Sequence, residues 1–251
     1  MSRSWTLKGG LAVYRSAGSE LSPQVVMVHG AVDRAAGMIR VARSIAEYPV
    51  VRYDRRGYGR SNASSYPISF EQHVEDLERV IDGVPSIIFG HSYGGSIALS
   101  AASRGRQPIR AVVSYEAPRG WEEWWPPPPA ATVDPGDAAE HFVRRMVGEE
   151  RWRMLPAKSR ERLRTQGVLM VHELNTQLTQ QYLIGEIAVP VHVGVGELSG
   201  AHAQRAAELT AQEAKSGTLV RIPKARHDAP MTHASAIAAM IKNAAIQGSL
   251  T

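Results

Sequence analysis

Ser86-Ile87-Ile88-Phe89-Gly90-His91-Ser92-Tyr93-Gly94-Gly95-Ser96-Ile97-Ala98-Leu99-Ser100-Ala101-Ala102 sets an apolar run, a glycine-flanked turn and a run of small and apolar residues in direct succession. The first part predicts a buried strand and the last a helix. Between them, Gly90-His91-Ser92-Tyr93-Gly94 fits the pattern G-x-S-x-G in the strand–turn–helix context the pattern requires. A chain that reverses so sharply holds the serine in a strained conformation with its hydroxyl exposed. Small residues two before and two after avoid collisions. Ser92 then sits at a helix N-terminus, whose free N–H groups and dipole favour developing negative charge. Ser92 is therefore the candidate nucleophile. The bland alternative is a glycine-rich turn that is purely structural.

Outward from this stretch, strand-like and helical patterns alternate. Trp5 to Leu7 and Leu11 to Tyr14 flank Lys8-Gly9-Gly10 and predict a hairpin. Apolar runs at 25–28, 50–53, 86–89, 109–115, 189–195 and 218–222 predict further strands. Helical patterns at about 35–46, 70–82, 93–104, 202–215 and 232–246 fill the gaps. Such alternation predicts an α/β fold with a mostly parallel, doubly wound sheet covered on both faces. Ligands of such sheets lie at the carboxyl ends of the strands. That rule singles out His29-Gly30-Ala31, Asp54, Ser92, Glu116, Glu197 to Ser199 and His227.

One stretch breaks the alternation. Residues 117–186 hold no strand-like run. They open on Trp121-Glu122-Glu123-Trp124-Trp125 and four prolines, Pro126 to Pro129, which cannot sit inside a helix. Helical spacing follows at Phe142, Val143, Met146 and Val147, and residues 159–184 predict one long or two shorter helices. The expectation is a helical cap or lid insertion at 117–186 over a core formed by 1–116 and 187–251.

With these motifs in place the chain resembles the α/β-hydrolase superfamily of lid-bearing serine esterases and lipases over nearly its whole length. By that resemblance, His29-Gly30 opens the oxyanion loop, and the backbone N–H groups of Ala31 and Tyr93 bind the oxyanion. Asp54-Arg55-Arg56-Gly57-Tyr58-Gly59-Arg60-Ser61 is similar to the family's D-x-R-G-x-G-x-S loop, with a structural role. The resemblance puts the general base on a His after the last strand. His227 fits, and His233 is its rival inside the terminal helix. The family's acid usually follows the seventh strand, but Gly196-Glu197-Leu198-Ser199 carries a serine where an Asp is expected. A carboxylate is needed to hold the His tautomer and stabilise the imidazolium. Glu116, after the sixth strand, is the leading candidate, with Glu197 and Asp228 as alternatives. Its bland reading is a strand-end carboxylate paired with a nearby Arg.

A Ser nucleophile with a His base implies acyl transfer through an acyl-enzyme. Trp121, Trp124, Trp125, Trp152, Met146 and Met154 are candidates for contacting a small, largely apolar substrate; each could equally pack the insert onto the core. The expected activity is hydrolysis of a carboxylic ester, lactone or thioester. The alternatives are a ligand-binding protein of little or no turnover on the same fold, and a cofactor-free C–C bond hydrolase.

Composition narrows the field further. The chain has 251 residues, 43% apolar and 21% charged, ordinary values for a globular protein. The absence of cysteine removes disulfides and thiolate chemistry. The histidines show no common ligand spacing, so neither a metal nor a cofactor is expected. The net charge of +5 comes from scattered residues. The expected partner is therefore a small-molecule substrate, not nucleic acid or membrane, with a homodimer left open. The N-terminus lacks the apolar centre of a secretory signal, and a cytoplasmic location is the default expectation.

Overall fold

A computed structural model describes residues 5–61 and 67–249. Met1 to Ser4, the start of the N-terminal stretch considered above, lie outside the described residues. Eight strands form one sheet in the order β1-β2-β4-β3-β5-β6-β7-β8. β1 (Thr6–Lys8) and β2 (Leu11–Ser16) make the expected hairpin. Its two-residue turn needs positive φ twice, and Gly9 (56°) and Gly10 (82°) supply it. β2 runs antiparallel to β4 (Val50–Tyr53). From there β3 (Gln24–Val28), β5 (Ser86–His91), β6 (Ile109–Tyr115), β7 (Val191–Gly196) and β8 (Gly217–Ile222) are parallel.

The central strands are buried on both faces, and their side chains alternate between two cores. Val26, Val28, Ile88 and Val112 point to one side, where they meet α2 (Phe70–Ile81), α3 (Tyr93–Arg104) and α8 (Ala201–Glu213). Val25, Met27, Ile87, Phe89 and Val113 point to the other, toward α1 (Ile39–Ser44) and α10 (Ala234–Gly248). The predicted helix at 35–46 is divided, whereas that at 232–246 is nearly all α10, with a short helix before it. A 3-10 turn, Ala35–Met38, precedes α1, and α9 (Ala229–Thr232) is separated from α10 by His233 at φ −125°.

Between β6 and β7 stand α4 (Pro135–Val147), α5 (Glu149–Met154), α6 (Ala157–Thr165) and α7 (Gly167–Thr176). Asp134 caps α4 by accepting from Asp137 N–H at 3.0 Å, and Pro135 occupies its first turn, where a missing N–H costs nothing. The stretch read as one or two helices is two, broken at Gln166-Gly167. Gly167 passes so close to α4 that a Cβ there would stand 1.9 Å from the Pro135 carbonyl oxygen. These helices share a core of their own, in which Trp152, Met170, Val143 and Leu163 pack with Val32 from the loop after β3. No helix among the described residues is long and apolar enough to cross a membrane.

Candidate active site

Ser92 is the hinge between β5 and α3, at φ 54° and ψ −126°. Few non-glycine residues adopt such a backbone, and the surroundings enforce it. The Ser92 N–H donates to the Tyr115 carbonyl at 2.8 Å, and the Ser92 carbonyl accepts from Gly95 N–H at 2.7 Å. The glycines of the motif are steric necessities. A Cβ on Gly90 would lie 2.3 Å from the Gly94 carbonyl oxygen, and one on Gly94 would lie 2.2 Å from that of Val28. Tyr93 is the first residue of α3, where a helix leaves its N–H groups without intrahelical partners.

The loop after β3 lies against this turn: a Cβ on Gly30 would come 3.0 Å from the Ser92 Cβ. Ala31 follows, half-buried against the core shared by α4 to α7. Val32 is held at φ 48°, an unfavourable region for a β-branched residue. Packing in the core around Trp152 and a 3.3 Å hydrogen bond from Val32 N–H to the Tyr58 hydroxyl keep it there.

His227 lies in the turn after β8, and its Nδ1 is 2.7 Å from Glu116 Oε2. Nδ1–H therefore donates to the carboxylate, leaving Nε2 as the acceptor. The other carboxylate oxygen, Oε1, accepts from Gly196 N–H at 3.0 Å and from the Ser199 hydroxyl at 2.5 Å. Ser199 thus occupies the place where an Asp was expected and donates to the carboxylate that reaches His227 from the neighbouring strand. Burial pushes the Glu116 carboxyl up, but the hydrogen bond and charge of His227, with the Ser199 and Gly196 donors, outweigh it and hold it at about 2.

The other acid candidates are engaged elsewhere. Glu197 is exposed and accepts from Lys224 N–H at 2.8 Å, and Asp228 pairs with Arg151. His233 meets the Thr232 hydroxyl at 3.0 Å. Asp54 has the structural role expected of it, accepting from Ala35 N–H at 2.8 Å and Arg60 N–H at 2.9 Å.

His91, in the turn before Ser92, bonds across the fold. Its ring lies tilted at 44° to that of His227, with ring centres 4.6 Å apart, and its Nε2–H donates to the His227 carbonyl at 2.9 Å. Burial, then the nearby His227, pushes His91 down to about 3, so the ring stays a neutral donor that fixes the turn.

A second buried network lies behind the loop after β3 and was not anticipated. Arg55 and Glu173 are fully buried and form a two-pronged ion pair, at 2.6 Å and 3.2 Å. Arg55 also donates to the carbonyls of His29 (2.9 Å) and Gly30 (3.0 Å), while the Tyr58 hydroxyl donates to Glu173 at 2.8 Å. Helix α7 is thereby tied to the loop that carries Ala31. Removing one member of a buried pair strands the other charge. Glu173→Gln is expected to lose about 3–5 kcal/mol of stability by urea unfolding. The double variant Arg55→Met/Glu173→Leu should recover part of that loss.

Ser92, Glu116 and His227 open onto one cavity of about 660 Å³ at the carboxyl ends of the strands. Trp125, Pro126 to Pro129, Phe142, Met146 and Leu174 supply its apolar wall. Of the six side chains expected to contact substrate, Trp125 and Met146 line the cavity and the others do not. Trp121 packs edge-on against Tyr182 at 4.7 Å, and Trp124 lies beneath Arg205 at 4.6 Å. Met154 is 74% exposed, on the outside of the short α5. Trp152 is 1% exposed in the core shared by α4 to α7, because α5 turns its apolar side toward α4 and α7. Trp152→Ala is therefore expected to cost about 3–5 kcal/mol in thermal or urea unfolding. Trp125→Ala should instead raise KM with a much smaller stability change. Among the described residues, no three His, Asp or Glu side chains converge as metal ligands would.

A model of the alpha/beta hydrolase family matches residues 25–240. Over 100 residues the chain is 32% identical to the uncharacterized hydrolase YraK of Bacillus subtilis (strain 168), across 38% of this chain and 37% of that protein. Over 93 residues it is 28% identical to lipase LipV of Mycobacterium tuberculosis, across 36% and 35% respectively. The chain therefore spans little more than a third of the length of these relatives. A solved alpha/beta hydrolase from Sphaerobacter thermophilus DSM 20745 superposes with a TM-score of 0.70 at 26% identity, covering 90% of this chain and 95% of that one. The region matched by the family model takes in the loop after β3, the Ser92 turn, Glu116 and His227, and the chain belongs to the alpha/beta hydrolase family.

Proposed function

We propose that this protein is a serine hydrolase that cleaves a carboxylic ester, lactone or thioester of a small, largely apolar molecule through an acyl-enzyme on Ser92. The observation that carries this reading is the 2.7 Å contact between His227 Nδ1 and Glu116, on a cavity that also exposes the strained Ser92. Ser92 Oγ attacks the carbonyl carbon and passes its proton to His227 Nε2. Glu116 holds the ring in the Nδ1–H tautomer and stabilises the imidazolium. The oxyanion accepts from the N–H groups of Ala31 and Tyr93, each worth about 3–4 kcal/mol of barrier reduction. His227 protonates the leaving group, and a water, deprotonated by the same nitrogen, releases the acid.

In this reading residues 117–186 act as the cap, with Trp125, the proline wall and Met146 setting which acyl or alcohol groups fit. A fluorophosphonate probe tests the assignment. Stoichiometric labelling mapped to Ser92 by peptide mass spectrometry, together with turnover of 4-nitrophenyl butyrate, is the expected result. An unlabelled, folded protein would point instead to a binding role.

A further inference from the structure

We propose that the substrate carries a carboxylate on its apolar body, recognised by Arg145 with Arg226 at the cavity wall; this rests on the acyl-transfer reading above. Among the lining residues Glu116 is the one carboxylate, and its oxygens are engaged by His227, Gly196 and Ser199. Against it stand Arg145 and His141 from α4, Arg226 from the turn after β8, and His202 from α8. Four basic side chains from three separate elements thus converge on one opening.

The carboxylates around them are already taken. Arg144, the neighbour of Arg145, pairs with Glu140 at 2.9 Å and Glu149 at 3.5 Å. Arg164 takes Asp137 and Glu140 at 2.7 Å each, and Arg151 takes Asp228. Among the described residues Arg145 has no carboxylate partner. Arg226 donates to the Leu198 carbonyl at 3.2 Å. Two guanidinium groups therefore border the cavity without an anion.

Arg145, Arg226 and His141 are solvent-exposed, so their convergence on one opening, and not burial, is the observation. Like charges gathered at one opening repel, and the effect registers on a neighbour: burial first, then Arg145, pushes His202 below its ordinary value. A cleft lined by one sign of charge over low-dielectric walls concentrates ligands of the opposite sign. The planar guanidinium also matches a carboxylate with two parallel donors. The facing wall of Trp125, Phe142, Met146 and Leu174 suits hydrocarbon. The two surfaces together fit an ester whose aliphatic or aromatic body ends in a carboxylate.

Two matched pairs of chromogenic esters test this. The 4-nitrophenyl monoester of glutaric acid against 4-nitrophenyl valerate places the charge on the acyl side. The butyrate of 5-hydroxy-2-nitrobenzoic acid against 4-nitrophenyl butyrate places it on the alcohol. In at least one pair kcat/KM should favour the charged member by about tenfold, equivalent to about 1.4 kcal/mol. Arg145→Gln should reduce that ratio to near unity. Arg144→Gln removes the same charge one residue away, from a guanidinium already paired, and should preserve the ratio.

Ratios at or below one in both pairs, or equal losses of ratio in the two variants, would overturn the proposal. Turnover of the neutral esters reports separately on the acyl-transfer reading. Should all four esters resist hydrolysis, ligand-observed NMR on Ser92→Ala with monomethyl glutarate and methyl valerate reads recognition without turnover. Equal binding of the two would likewise overturn the carboxylate preference.

Discussion

Ser92→Ala is expected to lower kcat on a small aryl ester by up to about 10⁶, the scale set by removing the serine of another triad enzyme, and to leave a small rate above the uncatalysed one. The residual rate has a structural source. On the proposed reading the N–H groups of Ala31 and Tyr93 bind the oxyanion, and they stay in place when the hydroxyl is removed, so polarisation of the carbonyl would survive the loss of the nucleophile. The fold should survive as well. Alanine carries the same backbone penalty at φ 54° as serine, and Ser92 is held there through backbone hydrogen bonds to Tyr115 and Gly95. Steady-state kinetics beside circular dichroism checks both parts. Near-normal turnover in the folded variant would remove Ser92 from the chemistry.

Glu116→Gln should cut kcat by up to about 10⁴, by analogy with an Asp-to-Asn change in another triad, while changing KM little. A glutamine amide can donate to Nδ1, which favours the tautomer that presents Nε2–H to Ser92 and cannot take its proton. Glu197→Gln and Asp228→Asn should cost far less, because these carboxylates serve Lys224 N–H and Arg151. A large loss in Glu197→Gln with little in Glu116→Gln would reassign the acid to the seventh strand.

The same substitution has a pH signature. The Glu116 carboxyl lies below its ordinary value of 4.5, at about 2, in the folded chain. Its ionised form therefore stabilises the fold fully above about pH 4.5, and that contribution is lost as pH falls toward about 2. The melting-temperature deficit of Glu116→Gln should accordingly be largest near neutral pH and close across that acid window. A deficit constant down to about pH 2 would mean that the charge of Glu116 does not contribute to stability.

Much of this was legible before any coordinates. Elements with one dominant signal were read within a few residues: the apolar strands, the Gly9-Gly10 hairpin, the Ser92 turn. Glu116 was reachable because strand order puts it at the same sheet end as Ser92. Side-chain direction between β6 and β7 was not legible. Trp152 and Trp125 look alike in composition, yet α5 buries one in a core and the chain beside the prolines turns the other to the cavity. Residue spacing carries little information on which face of a six-residue helix is apolar when its neighbours are other helices of the insert.

Ser199 was legible only as an absence, since a serine's value as a donor depends on a carboxylate 83 residues away in sequence. Glu173 gave one weak signal: an acid in Val168-Leu169-Met170-Val171-His172-Glu173-Leu174, an otherwise apolar helical run. Nothing in the sequence paired it with Arg55.

That pair bears on how members of this family could exchange parts. Arg55 follows β4 and Glu173 lies on α7, between β6 and β7, 118 residues apart, and Tyr58 joins them while its hydroxyl accepts from Val32. A chimaera that took α4 to α7 from a relative without a carboxylate at this point of α7 would leave the buried Arg55 guanidinium without its counter-charge and the loop beside Ser92 untied from α7. The helices between β6 and β7 are therefore no free module. Arg55, Tyr58 and Glu173 form a single bonded unit, and a graft that respects it must move all three together.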